Sequence, residues 1–242
     1  MGSVRFLHWN ILYEEKAENI LSLVKDLKPD ILCCQEINDT NNNLVSMFAK
    51  KFAYYYFEPA IIIGATNEKL ILGNAIFSRF PMANKRKVFL QNGPNATSGN
   101  QHEERIYIEA NLDCDGEELT VGTTHLSFTP QFAMTSDKKQ QAKNLLEAIK
   151  GRQSRFVISG DFNSTPNTSL IKSLNEQFVS AGPPNSEPTF TTIPFSFLGF
   201  DVTGLDWRVD FIFTTKDMRV LKSEIVKTKF SDHLPILAEL EF

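Results

Sequence analysis

Residues 156–163, Phe-Val-Ile-Ser-Gly-Asp-Phe-Asn, read as a core β-strand that runs straight into a carboxylate and a carboxamide. A short apolar run of this kind, closed by a glycine, is expected where both faces of a sheet are covered. Asp161 is costly at such a place unless something answers its charge. Three more apolar stretches behave alike: Ile31–Cys34 runs into Gln35 and Glu36, Val209–Phe213 holds Asp210, and Phe230-Ser231 precedes Asp232 and His233 just before the last strand. A lone buried carboxylate costs several kcal/mol unless it is paired or binds a metal. Strand ends lying side by side would gather these groups into one polar cluster at a rim of the fold. A cluster with Glu, Asp and His suits a hard divalent cation and hydrolytic chemistry.

Outward from this strand the pattern fixes the architecture. Ala142, Leu145, Leu146 and Ile149 keep helical spacing, Gly151 marks the helix stop, and Leu119–Leu126 is strand-like before it. The same order occurs earlier. Val4–Trp9 is a strand, Ala17, Ile20, Leu21, Val24 and Leu27 form a helix ended by Pro29, and Cys33–Glu36 is the next strand. Each half is strand, helix, strand, closing on Asn10 and Glu36 and then on His125 and Asp161. Further strands are predicted at 53–57, 74–78, 85–90, 105–112 and 218–228, with Asp113–Gly116 as a hairpin turn. The expected fold is α/β, a four-layer α-β-β-α sandwich of two packed mixed sheets with outer helices, in a single domain over residues 4–242.

Composition sets the bounds. The chain has 242 residues, 42% apolar and 22% charged, ordinary for a globular domain with a sizeable core. Its twenty Phe favour a large sheet-on-sheet core. Cys33 and Cys34 point to opposite faces of a strand and read as small core residues, not as a disulfide framework. No signal-peptide pattern and no run of ~20 apolar residues is present. The expectations are a cytoplasmic location, no stable membrane insertion and a monomer. A net charge of −4 argues against non-specific duplex binding by bulk electrostatics, though a local basic rim remains compatible with it. The compact basic run Lys85-Arg86-Lys87 reads as a solvated turn.

Trp9-Asn10, Gln35-Glu36, Thr124-His125-Leu126, Gly160-Asp161-Phe162-Asn163, Trp207-Arg208-Val209-Asp210 and Ser231-Asp232-His233 together resemble, in order, the motifs of the endonuclease/exonuclease/phosphatase superfamily. The resemblance spans Phe6 to Phe242. It implies a hydrolase that cleaves phosphoric esters with Mg²⁺, Mn²⁺ being a substitute, by in-line attack of water without a covalent enzyme intermediate. Glu36 is the leading metal ligand, with Asn10 and Asp232 near it; Mg²⁺ commonly needs only one or two carboxylates plus substrate phosphate. Asp161 is the candidate general base, and Asn163 a donor to a phosphate oxygen. His233 is the candidate for stabilising the phosphorane-like transition state or protonating the leaving oxygen. Asp210 would orient His233 and raise its pKa. His125 is expected as a phosphate contact or second acid. Arg105 and Asn74 are expected to approach the substrate, and Trp207 to border its pocket.

The substrate is less sharply drawn. Trp207-Arg208-Val209-Asp210 resembles the AP-endonuclease version of its motif, whereas His125 and the absence of Lys after Glu36 do not. Gly73–Ser78 and Asp137-Lys138 through Gln141 are similar to small bacterial-type members. Nucleic-acid phosphodiester cleavage leads. A phospholipid headgroup or a sugar or inositol phosphate follows, and a catalytically inactive binding module is the reading from a different class. Residues 91–104 and the aromatic-rich stretch 183–206 read as specificity loops, where Phe190, Phe195, Phe197 and Phe200 would stack bases, enter lipid or pack on the sheet edge.

Overall fold

The computed structural model describes residues 2–40, 43–64, 69–91 and 101–242. The chain opens with β1 (Ser3–Asn10), α1 (Ala17–Leu27), β2 (Ile31–Asn38), α2 (Leu44–Ala49), β3 (Tyr54–Ile63), β4 (Leu70–Ser78), β5 (Met82–Phe89) and β6 (Gln101–Glu103). It continues through β7 (Ile106–Cys114), β8 (Glu117–His125), α3 (Ser136–Ala148), β9 (Phe156–Asp161), α4 (Ser169–Gln177) and β10 (Val179–Ser180). The last elements are β11 (Phe195–Phe197), β12 (Phe200–Val202), β13 (Asp210–Thr214), β14 (Arg219–Ile225) and β15 (Ile236–Glu241).

Two mixed sheets result, ordered β14-β15-β1-β2-β4-β3-β6 and β10-β13-β9-β8-β7-β5. The two strand-helix-strand units supply the parallel pairs, β1 with β2 and β8 with β9. Antiparallel neighbours flank each: β15-β1-β2-β4 in one sheet repeats as β7-β8-β9-β13 in the other. The register aligns the polar strand ends, Asn10 opposite Gln35 and His125 opposite Asp161.

The apolar side chains sort into layers as the strand period demands. Phe6, Cys33, Ile76, Ile108, Val121, Val157, Ile212 and Ile236 fill the space between the sheets. Leu7, Trp9, Leu32 and Cys34 face α1 and α2, while Phe156, Ile158, Phe211 and Phe213 face α3 and α4. Cys33 and Cys34 therefore lie in different layers, as their adjacency in a strand requires. The phenylalanines do not concentrate between the sheets. That layer is mostly Ile, Val, Leu and Ala, and most rings lie under the outer helices or in a separate cluster of Phe132, Phe190 and Phe200 with Phe128, Phe195 and Trp207. Two sheets packed face to face interdigitate well with short branched side chains, whereas the wider gaps beneath helices take rings.

Several boundaries differ from the sequence reading. Strand β3 continues past Phe57 to Ile63, because a register shift at Pro59–Ile61 absorbs the proline. Helix α3 starts six residues before Ala142, capped by the Thr135 side chain, and its first turns lack an apolar stripe. Lys85, Arg86 and Lys87 lie on edge strand β5, in line with the strand predicted at 85–90 and against the turn reading of the basic run; Arg86 pairs with Glu109 and Lys87 with Glu58. Charged edge strands resist unwanted pairing. Of the expected loop 91–104, residues 92–100 lie outside the described residues, and Gln101–Glu103 pairs with β3. The 183–206 stretch carries the small hairpin β11–β12. Among the described residues no helix is long and apolar enough to cross a membrane.

Candidate active site

Sheet packing brings the four polar strand exits together. Asn10, at the end of β1, donates through Nδ2 to Glu36 Oε1 and to Asp161 Oδ2, both at 3.2 Å. It thus stands between the two halves of the molecule. Glu36 is half-buried at φ 55°, inside a bulge where the β2–β4 register slips between Cys34 and Ile37. A left-handed glutamate is costly, and bulges of this kind re-aim a side chain. Here the bulge turns the carboxylate toward Asn10.

Asp161 is buried, and its oxygens are met from several sides. Asn163 N donates to Oδ1 at 2.9 Å, Asn163 Nδ2 donates to Oδ2 at 3.2 Å, and His125 Nε2 and His233 Nε2 lie 3.4 and 3.7 Å from Oδ2. Burial raises its pKa, against the opposing pull of the His233 charge. Asn163 holds this turn in a left-handed conformation, φ 46°, and sends its other amide proton to the Leu126 carbonyl at 2.9 Å.

His233 Nδ1 donates to Asp210 Oδ2 at 2.8 Å, as the family resemblance implied. The other oxygen has a partner that the sequence did not reveal: His8 Nε2 donates to Asp210 Oδ1 at 3.0 Å, and both side chains are fully buried. Burial alone would raise the Asp210 carboxyl, but the two imidazoles hold it well below the usual carboxylate range. Burial likewise opposes the charge on His233, yet Asp210, Asp161 and Asp232 raise its pKa well above the ordinary imidazole value. The backbone around it is anchored by Trp9 Nε1 donating to the His233 carbonyl at 2.9 Å and by Ser231 Oγ, which donates to Asn10 O and accepts from His233 N. The Phe190 ring covers the imidazole at 4.8 Å between centroids. His125 is the opposite case: burial, then Arg105 and His233, push its pKa well below 6.5, which leaves it neutral.

Arg105 is buried just before β7 and pairs with Glu103; burial lowers its pKa to about 10 while Asp161 and Glu36 pull it back up. Its charge therefore faces the cluster. Asn74 donates to the Ile106 carbonyl at 3.2 Å and ties β4 to the opposite sheet. Trp207 packs on Phe132 and Phe200, one ring beyond Phe190. His8 escaped the sequence reading, and Phe190, read as a loop aromatic, proves to lie against the His233 imidazole. A histidine in an apolar strand looks like any satisfied core residue, and the even spacing His8, Asn10 on one strand face was the signal available.

The donor set accommodates a divalent cation. Glu36 and Asp232 repel one another, and burial followed by that repulsion raises the Glu36 pKa, a conflict that a cation beside both would remove. Atoms of Asp161, Asp210 and His233 also come within 4.8 Å of one another. Both Asp210 oxygens, however, already accept from imidazoles, and Asp161 stands 3.7 Å from His233 Nε2.

Residues 7–233 match the Endonuclease/Exonuclease/phosphatase family. Nocturnin of Rattus norvegicus is 25% identical over 232 residues, covering 78% of this chain and 52% of the relative. The chain spans about half the length of the curated relatives it matches. Among solved structures, an endonuclease/exonuclease/phosphatase from Beutenbergia cavernae superposes with a TM-score of 0.79 at 20% identity, over 99% of this chain and 72% of that one. The human Nocturnin catalytic domain with a bound sulfate anion gives 0.74 at 20% identity, over 99% and 94%. D. rerio TDP2 complexed with single strand DNA product gives 0.70 at 15% identity, over 100% of both chains.

Proposed function

The chain belongs to the endonuclease/exonuclease/phosphatase family, and from that membership we propose that it is a Mg²⁺-dependent phosphoesterase cleaving a phosphodiester, nucleic acid first among its substrates, by in-line attack of water. The observation that carries this reading is the convergence of Glu36, Asp161, His125 and the Asp210–His233 pair from both sheets, joined by Asn10. Glu36 and Asp232, with Asn10, which donates to Glu36, would hold the cation, which when bound would neutralise charge developing on phosphate oxygens.

Asp161 orients the attacking water and accepts its proton; Asn163 and Asn10 fix the carboxylate by donating to it. His233, kept cationic by Asp210, supplies positive charge to the transition state or a proton to the leaving oxygen. Neutral His125 serves as a hydrogen-bond donor to phosphate, with Arg105 a buried positive charge behind it. The single-stranded DNA product bound by the zebrafish relative supports the nucleic-acid choice.

One observation favours a second reading, a phospholipid headgroup. The β11–β12 hairpin exposes Phe197 (48%) and Leu198 (79%), and Ile193 and Leu205 on the same stretch are also exposed. No Lys, Arg or His occurs between residues 178 and 207 to hold a nucleic-acid backbone there. The test is a hydrolysis panel of bis-p-nitrophenyl phosphate, single-stranded DNA and sphingomyelin vesicles, with Mg²⁺ or EDTA, for wild type and Asp161→Asn. Cleavage is expected in Mg²⁺ alone and in wild type alone. Undiminished turnover in EDTA, or by the folded variant, would overturn the assignment. Cleavage of the vesicles but not of DNA would select the second reading.

A further inference from the structure

The first turns of α3 press polar groups, not apolar ones, against the strand exits. Lys138 and Gln141, three apart on one helix face, are both fully buried. Gln141 holds the loop after His125: its Oε1 accepts from Ser127 N at 3.0 Å, and its Nε2 donates to Ser127 Oγ at 2.8 Å. Lys138 reaches further. Its Nζ donates to Thr129 Oγ1 at 3.1 Å, in that same loop, and to the carbonyl of Asn163, in the turn after Asp161.

A buried lysine normally sits in an ion pair, because an unpaired ammonium in the interior is expensive. Among the described residues Lys138 has no carboxylate in salt-bridge reach; its partners are a hydroxyl, a carbonyl and, 6.0 Å away, the Phe132 ring. Two charges face it from neighbouring elements. Burial lowers its pKa to about 8, Asp161 on β9 raises it, and Arg105 ahead of β7 lowers it further. Stability alone gives no reason to keep a charge here, since an apolar side chain of similar length would fill the same space without desolvating an ammonium.

The reason lies in what the ammonium joins. Asn163 occupies a left-handed conformation, and its backbone N–H and side chain both bind Asp161. We propose that Lys138 is a positioning residue, clamping the Asp161–Asn163 turn to the loop after His125 and so fixing carboxylate and imidazole relative to one another. This rests on the phosphoesterase reading above for its catalytic consequence, though not for the clamp itself. The clamp also explains why α3 begins without an apolar stripe: the face that a sequence pattern would use is occupied by Lys138 and Gln141.

The experiment compares wild type with Lys138→Met, Lys138→Arg and Lys139→Met, the last an exposed neighbour on the same helix. With bis-p-nitrophenyl phosphate and Mg²⁺, Lys138→Met is expected to lose between about 10- and 10²-fold in kcat with KM nearly unchanged, the scale of a small misplacement of reacting groups. Lys138→Arg should recover part of the loss, and should move to higher pH the alkaline limb expected near 8 in wild type, because a guanidinium stays charged there. Lys139→Met should match wild type. Independently of turnover, amide hydrogen exchange at Asn163, followed by NMR, should quicken in Lys138→Met and not in Lys139→Met. Wild-type kcat in Lys138→Met, or unchanged exchange at Asn163, would overturn the clamp. A wild type inert toward every substrate would sink the phosphoesterase reading alone, and the exchange measurement would still decide the clamp.

Discussion

Replacing Asp210 by Asn tests the relay behind His233 most directly. The substitution keeps the shape of a fully buried side chain but turns one oxygen into a donor. Both oxygens now accept, from His8 at 3.0 Å and from His233 at 2.8 Å, so in Asp210→Asn a donor must confront one of two imidazole N–H groups. A hydrogen bond to a charged group contributes about 1.5–3 kcal/mol. Its loss alone would cut the population of correctly held, cationic His233 by roughly 10- to 10²-fold, at about 1.4 kcal/mol per tenfold. Adding the transition-state charge that a neutral imidazole no longer supplies brings the expected loss in kcat to about 10²–10⁴-fold, the range of general acid–base catalysis. KM should move little, because Asp210 meets imidazoles rather than substrate. The assay is steady-state hydrolysis of bis-p-nitrophenyl phosphate by wild type, Asp210→Asn, His233→Ala and the double variant, with thermal unfolding of each. Since Asp210 acts through His233, the double variant should be no slower than His233→Ala within a few-fold. In wild type the raised pKa keeps His233 cationic well above 6.5. Without Asp210 the cation is lost as pH rises through values nearer 6.5, and the alkaline limb should shift down. A folded Asp210→Asn with more than about a third of wild-type kcat, or a double variant that loses the product of the two single effects, would refute the relay.

Two further outcomes follow from the same geometry. Glu36 and Asp161 have raised pKa values, so the folded protein keeps protons that the unfolded chain releases above 3.8 for Asp and 4.5 for Glu; their contribution to stability declines as pH rises through that window. A cation takes the place of those protons, so Mg²⁺ should raise the Tm more at pH 8 than at pH 5, and not at all in Glu36→Gln; equal shifts at both pH values, in differential scanning calorimetry, would count against the site. At Gly160 an added Cβ would come within 2.5 Å of the Thr124 carbonyl oxygen and 2.9 Å of Thr124 Cγ2 across the parallel β8–β9 pair. Gly160→Ala should therefore lose about 1–3 kcal/mol of stability, read as a lower urea midpoint at unchanged slope, together with activity, because it parts His125 from Asp161; an unchanged midpoint would contradict the close approach.

Much of the architecture was written in local periodicity. Two strand-helix-strand units could be read from apolar spacing, and the cost of a carboxylate at the end of an apolar strand or inside one singled out Glu36, Asp161 and Asp210. Cys33 and Cys34 were assigned to opposite layers by alternation alone, and the sheets bear this out. Helix α3 was half-legible: its apolar end showed, while its first turns, whose inner face carries Lys138 and Gln141, did not. The bulge at Glu36 was not foreseeable either, because it depends on β4 being the neighbour of β2.

What the sequence determined by itself is which residues each strand would present to which face, since that follows from a period of two and the aversion of charge to apolar surroundings. What only the tertiary structure decided is who meets whom across the seam. Asn10 reaches Asp161 over 151 positions and His8 reaches Asp210 over 202. Such pairings are set by how two twisted sheets stack, and a side chain's protonation is set by the neighbours that stacking delivers. Hence His125, His233 and His8, alike as letters, become a neutral donor, a cation and the second anchor of a buried carboxylate.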